Sequence, residues 1–352
     1  MKYSYRFPVV KGVQAGREYY IGMVPLKMLS RLFPIEEEYV PPEYRAQRRL
    51  NENRIPEIKK YILNNRDNYV FSALAASIDG DYKFESFSDD LGVLEVSMDA
   101  RILINDGQHR KAAILAALEE FPNLGDETIS VVFYADQGLA RSQQMFTDLN
   151  KHAVKTTNSM AELYDSRDPM AVATRKIISE VPFFDAYVDK EKDMLGKFSS
   201  ALFTLNNVYT ANKRMLRRQE CNEAFVEYCI QYWKKVSEHM IPWNDLISHQ
   251  ISKTELREKY IAAQAVVLQA LGRVGAYFYE NIESDLLDSY LVKLEEIDWK
   301  RSAKYWKQRV IKQNGRMINN ETAIILAANV IKQQMSIPLS DDEKAIEKKS
   351  KV

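Results

Sequence analysis

The chain has 352 residues, 46% of them hydrophobic and 28% charged, with 49 basic residues balanced by 49 acidic ones. That is enough chain for one large or two ordinary domains of a globular protein, and zero net charge excludes a uniformly basic nucleic-acid binder, so any such surface must be local. No run approaches the ~20 apolar residues of a membrane span, and Met1-Lys2-Tyr3-Ser4-Tyr5-Arg6 lacks the apolar core of a signal peptide. A cytoplasmic protein with no membrane partner is therefore expected. Cys221 and Cys229 have no ligand cluster around them and read as reduced thiols.

In chain order, residues 4–25 read as two strands around a turn between Gly12 and Gly16, and residues 26–33 as a short helix. Pro34, Pro41 and Pro42 then break the chain. A helix follows, capped by Asn51 or Asn53, with Pro56 in its first turn and Ile58, Tyr61 and Ile62 on its inner face. Arg45, Arg48, Arg49 and Arg54 are denser than a cap requires; they are either a solvated face or donors to an anion bound elsewhere. Residues 70–78 read as a buried strand, 84–87 and 92–96 as weaker ones and 128–134 as another buried one. A mixed sheet with helices is the expected outcome.

The centre of this half is Asn105-Asp106-Gly107-Gln108-His109-Arg110, between the apolar Ile102-Leu103-Ile104 and an Ala/Leu-rich run from Lys111. That pattern is strand, tight turn, helix. Gly107 lets the backbone turn sharply and approach a ligand, and the first N–H groups of the helix lack partners, which makes an anion site. Asp106 beside His109 is a candidate acid–base pair, although Asp at a helix start is more often a cap. After a helix over residues 139–149, Asn150, Lys151, His152 and Lys155 either line a ligand site or belong to an ordinary helix end. There is no P-loop and no GxGxxG turn, and the four histidines (His109, His152, His239, His249) show no zinc spacing, so neither a metal nor an iron–sulfur cluster is expected.

From residue 159 onward the periodicity predicts helices almost exclusively: 159–165, 168–180, 197–217, 220–238, 255–280, 283–296, 300–313 and 320–335. The charged tail beyond residue 340 lacks an apolar face and is expected to fray. Charge is segregated. Lys197, Lys213, Arg214, Arg217 and Arg218 form one basic group, residues 280–298 are acidic, and Lys300, Arg301, Lys304, Lys307, Arg309, Lys312 and Arg316 form a second basic group without acids. On a helix, Trp299, Ala303, Trp306 and Val310 make one buried stripe and the cations cover the rest. With Asn314-Gly315 and the next helix this is compatible with a helix-turn-helix that contacts DNA phosphates. The competing reading docks the basic face on the acidic 280–298 segment.

Asp106-Gly107-Gln108-His109-Arg110 spells the DGQHR motif. With Gln47-Arg48-Arg49-Leu50-Asn51 and Phe146-Thr147-Asp148-Leu149-Asn150-Lys151 in order around it, the chain resembles the DGQHR-domain family, most closely the DndB proteins of DNA sulfur modification. The resemblance implies a ParB/sulfiredoxin-like mixed-sheet domain; together with the periodicity and charge above, an α+β protein is expected, with that domain over residues 1–157, an all-α helical domain over 158–336 and a charged tail over 337–352. It implies ATP or another nucleotide held by Gly107, Gln108, His109 and Arg110, helped by Arg48, Arg49, Asn150 and Lys151. It further implies a repressor, dimeric if its operator is a palindrome, that binds the promoter of its own phosphorothioate-modification operon. Lys300, Arg301, Lys304, Lys307, Lys312 and Arg316, with Lys213, Arg214, Arg217 and Arg218, are the DNA candidates. A weak ATPase activity, a nucleotide hydrolase or nuclease using Asp106 or His109, and a protein-interaction subunit that contacts the modification proteins are the alternatives.

Overall fold

Alternation of buried and exposed side chains sets the first two strands, β1 (Ser4–Gln14) and β2 (Arg17–Pro25): Phe7, Val9, Tyr20 and Val24 are buried while Val10, Ile21 and Met23 are exposed. They come from a computed structural model that describes residues 3–33, 52–135, 156–196 and 198–349. Ala15 and Gly16 join them at φ 51° and 72°, as a two-residue hairpin turn requires. After a 3₁₀ turn (Leu26–Met28), α1 (Leu29–Leu32) buries Leu29 and Leu32. The next helix, α2 (Ile55–Asn64), does have proline in its first turn, but Arg54 holds the cap position and no side chain caps it. Asn53 is therefore not the cap, and Asn51 lies outside the described residues.

The rest of this unit is β3 (Leu74–Asp79), β4 (Tyr82–Ser88), β5 (Leu91–Ser97), β6 (Arg101–Asp106), α3 (Gln108–Glu120) and β7 (Thr128–Tyr134). The seven strands form one sheet in the order β4-β5-β1-β2-β7-β3-β6. β3 runs parallel to β7, and the other pairings are antiparallel. One core gathers Phe7, Tyr20, Leu74, Ile104, Ile114 and Phe133, and each such burial is worth about 1.5–3 kcal/mol over exposure.

The chain divides into two units, Met1–Val154 and Lys155–Val352. The second holds α4 (Asn158–Tyr164), α5 (Pro169–Glu180), α6 (Pro182–Tyr187), α7 (Leu205–Leu216), α8 (Glu223–His239), α9 (Ile241–Ile247), α10 (Lys253–Lys259), α11 (Ala265–Asn281), α12 (Leu287–Leu291), α13 (Glu321–Gln334) and α14 (Asp341–Lys349). A two-residue parallel pair, β8 (Val188–Asp189) with β9 (Phe203–Thr204), is its sheet content among the described residues. The expected class, a mixed sheet followed by a helical region, is the one observed. α7 and α11 pack most intimately: a Cβ on Gly272 would lie 2.3 Å from the Ala211 carbonyl oxygen, so only glycine fits. Trp233 donates to Asn212 (2.8 Å), which donates to Thr174 (3.1 Å), so the buried polar groups there are paired. No helix among the described residues is long and apolar enough to cross a membrane.

Four expectations for this unit are corrected. The helix foreseen over 197–217 starts only at Leu205, where Thr204 and Asn207 form a capping box. The helix over 255–280 breaks between α10 and α11, and that over 300–313 does not form at all. The two failures have one cause. Ile261 N–H donates to the Trp299 carbonyl (2.9 Å) and Arg301 N–H to that of Lys259 (2.8 Å). Each segment thus takes the backbone groups the other would have used for its helix. Residues 299–317 are instead a loop of turns with one 3₁₀ turn, Lys304–Trp306, and there is no helix-turn-helix. Finally, the tail does not fray at residue 341. α14 docks through two buried acids: Glu343 receives Lys332 Nζ (2.9 Å) and Arg273 Nη2 (3.2 Å), and Glu347 receives Arg309 Nη1 (2.6 Å).

Candidate functional site

β6 delivers the chain to Gly107, which turns it at φ +102° into the first turn of α3. A Cβ there would meet Leu74 Cδ2 at 2.3 Å. Both the dihedral and the space therefore demand glycine. Asn105, buried one residue before Asp106, donates to Ser77 Oγ (2.5 Å) across the β3–β6 pairing.

The side chains of the motif divide by direction. Arg110 folds back on the protein: Nη2 donates to Asp106 Oδ2 (2.6 Å), and Nη1 to the carbonyls of Ser72 (2.7 Å) and Ala73 (3.0 Å) and to Ser72 Oγ. It staples the segment before β3 to the turn, and it holds the Asp106 carboxylate that sequence reasoning offered as a catalytic base. His109 and Gly107 line a cleft, and Asp106 and Arg110 contribute to the same lining. Gln108 Nε2 is buried without a hydrogen-bond partner, an orphaned donor of the kind a ligand satisfies. Lys111, one residue past Arg110, is half-buried, and burial lowers its pKa.

The cleft has a volume of about 470 Å³, within the range of small-molecule sites. α2 forms its opposite wall with Arg54, Glu57, Ile58 and Tyr61, and Phe71 closes it, its ring 5.9 Å from that of Tyr61. Sequence reasoning missed Glu57 and Phe71 and placed Tyr61 on an inner face. A signal was present, because residues 54, 57, 58 and 61 follow the i, i+3, i+4, i+7 spacing of one helical stripe. Of the four arginines considered for the anion, Arg54 reaches the cleft. Arg45, Arg48 and Arg49 lie outside the described residues, as do Asn150, Lys151, His152 and Lys155. A turn that admits no Cβ, the cations Arg54 and Arg110, the His109 imidazole and an aromatic wall line this cleft and fit a nucleotide, and the orphaned Gln108 donor sits in the first turn of the same helix.

The basic residues of the second unit also divide. Arg301 donates to the carbonyls of Arg257 (2.7 Å) and Tyr260 (3.4 Å), and Arg309 pairs with Glu347. Arg214 binds Glu321 (2.7 Å) and Gln269 (2.9 Å), and Arg217 binds Glu280 (2.7 Å). Lys213 lies 5.6 Å from the Tyr209 ring centroid, and Arg218 is exposed. By contrast Lys300, Lys304, Lys307, Lys312 and Arg316 are all exposed, and none forms an ion pair among the described residues. Among the described residues the loop's cations form no ion pair with the acidic 280–298 side chains; the Lys300 N–H donates to Asp298 Oδ1 (3.0 Å), and Tyr305 and Trp306 bond the Asp298 carbonyl (both 2.8 Å).

One constellation resembles a metal-ligand set: Glu238, His239 and Asp288 bring ligand atoms within 4.8 Å of one another. Lys235 Nζ lies 2.7 Å from Glu238 and 3.1 Å from Asp288, so an ammonium already supplies the positive charge. Cys221 and Cys229 are free, and burial raises both thiol pKa values.

A family model described as DndB, DNA-sulfur modification-associated, matches residues 7–338. No curated protein and no solved structure matches the chain.

Proposed function

The chain belongs to the DndB family of DNA-sulfur modification-associated proteins, and from that premise we propose that it is a DNA-binding repressor of the phosphorothioate-modification operon, tuned by a nucleotide at the β6–α3 turn. The observation that carries the DNA reading is the loop over residues 299–317. Its fold is fixed by the buried Trp299 and Trp306, stacked at 5.7 Å, while five cations stand out in solvent with no acidic partner among the described residues. An ordered row of unpaired cations suits a polyanion, whose counterions it displaces. Those contacts position the protein, and the exposed Gln308 and Gln313 of the same loop are side chains able to read base edges. A dimer matches a palindromic operator.

In the first unit, nucleotide phosphates lie on the first turn of α3 and take the Gln108 amide, with Arg54 as a cation, His109 as a hydrogen-bond donor and the base against Tyr61 and Phe71. Arg48, Arg49, Asn150 and Lys151 remain part of this proposal, as does Arg110, which lines the cleft while it holds the turn. A mobility shift tests the DNA reading: upstream operon DNA should bind selectively and weaken with salt, and equal affinity for random DNA removes the repressor. Calorimetric titration of ATP tests the other part. Binding should be lost or much weakened in Phe71→Ala, and no binding to the wild type removes the nucleotide.

A further inference from the structure

The sheet of the first unit has two faces, and its helices pack on one of them. There Leu29 of α1, Ile62 of α2 and Ile114 of α3 join Phe7, Val9 and Tyr20 in one core. Side chains alternate along a strand, so the residues between these point the other way. We propose that this second face is a dimer surface, on which a second copy of the chain packs sheet against sheet.

Strand register makes the face continuous. Leu91 lies opposite Val10, Val10 opposite Ile21 and Ile21 opposite Val132. One aliphatic row thus crosses β5, β1, β2 and β7. Leu91 is 46% exposed, Val10 50% and Ile21 40%. The row two residues along carries Val93, Pro8 and Met23, and Met23 is 56% exposed. On the other side Tyr19 lies opposite Tyr134, their rings stacked at 6.0 Å. The field ends at β7, because Ala75 and Ser77 of the neighbouring β3 are buried.

Size, shape and charge all suit a second copy. Four strands about 4.8 Å apart and three rows about 6.8 Å apart make an apolar field of roughly 400 Å² in projection, as large as the largest patch an ordinary monomer exposes. One more strand spacing of about 5 Å on its three open sides brings it to roughly 700 Å². Two copies then bury roughly 1,400 Å², within the standard range for a stable interface. A twisted strand face is matched by another sheet of the same twist, about 10 Å away, and an identical chain brings that twist with it. The rim is neutral: Arg6 pairs with Glu85 (3.6 Å) and Glu95 (3.2 Å), and Lys83 with Glu85 (2.6 Å). A rim of one sign would repel its own copy, whereas this mixed one does not. The same neutrality makes the face a poor seat for nucleic acid. The surface rests on the dimer of the proposed function alone, not on its DNA or nucleotide contacts.

Sedimentation equilibrium of the full chain from about 1 to about 100 µM tests it. The wild type should be a dimer over most of this range. Ile21→Glu and Val10→Lys, made separately, should each raise the dimer Kd about 100-fold or more, because two-fold symmetry buries every introduced charge twice. Both positions are exposed in the single chain, so thermal unfolding should show each variant folded, and the two replacements read the same face should one of them fail. Tyr164→Glu, at a 71% exposed residue of the helical unit, should leave the dimer intact. A wild type that stays monomeric overturns the proposal, even if it binds the operator selectively. So does a dimer that survives both sheet variants, or one that Tyr164→Glu dissociates. A dimer broken by the sheet variants supports the surface whether or not DNA binding proves selective.

Discussion

Replacing Lys300, Lys304 and Lys307 together by alanine removes three of the five exposed cations of the 299–317 loop that pair with no acid among the described residues. On B-DNA each neutralised phosphate contributes about −0.9 to the slope of log K against log salt, so five contacts give about −4.5 and two about −1.8. Over a fourfold rise in salt the wild type should therefore lose about 500-fold in affinity and the variant only about 12-fold. The fold should not notice, because surface changes of this kind cost within ~0.5 kcal/mol and the stacked, buried Trp299 and Trp306 report any rearrangement by their emission. Arg309→Ala is the matched control: its guanidinium is committed to Glu347, so it should lower the urea midpoint and leave the salt slope alone. Operator titrations by fluorescence anisotropy at four salt concentrations measure all three proteins. An unchanged slope in the triple variant, with its fold intact, would refute the assignment of this loop.

Gly107→Ala forces a left-handed dihedral and a 2.3 Å contact with Leu74; strain and overpacking of about 1–3 kcal/mol each should appear in urea unfolding. Lys332→Met removes the nearest cation from the buried Glu343, leaving Arg273, and should cost about 3 kcal/mol. Burial raises the Glu343 pKa, but Lys332, the Ser340 N–H and Arg273 outweigh it, and the net shift is downward. A lowered carboxylate stabilises above its unfolded pKa and loses that contribution as pH falls through the folded one, so stability should drop below about pH 4.3 and do so less in Glu343→Gln. Glu162 behaves oppositely: burial first, with Asp193 and Asp168, pushes it up to about 7 against the Asn206 bond and Lys213. Its contribution is complete below the unfolded pKa and is lost as pH rises through about 7, so Glu162→Gln should be the more stable protein near pH 8 and match wild type below about pH 4.

What the sequence disclosed followed from local rules. β7 ends where the alternation of Ile129, Val131 and Phe133 ends, and α8 begins where Asn222 accepts from the Phe225 N–H. Gly107 between an apolar run and an Ala/Leu run was enough to place the turn. Failures came where a distant segment decided. Trp299, Ala303, Trp306 and Val310 are buried, as their spacing predicts, but the same spacing serves a loop whose two indoles bond the carbonyls of Leu294 and Asp298 (3.1 and 2.8 Å). α14 buries acids instead of apolar groups, which hydrophobic periodicity cannot register. In the cleft, Arg110 lines the wall as its place in the motif suggests, but nothing in the motif announces that it also bonds Ser72 and Ala73. Phe71 was absorbed into a strand that starts only at Leu74, its ring turned instead toward Tyr61 and Tyr69.

α14 also imposes an order on biosynthesis. Arg273, Arg309 and Lys332 all precede the two carboxylates that neutralise them, and Lys332 is only 3% exposed in the finished unit. Until synthesis passes Glu343, α13 carries an ammonium that the interior cannot accept without its counterion. The growing chain can complete the sheet of the first unit while this half is still being made. The helical unit, however, must hold its last surface open to water until its own acids arrive to close it.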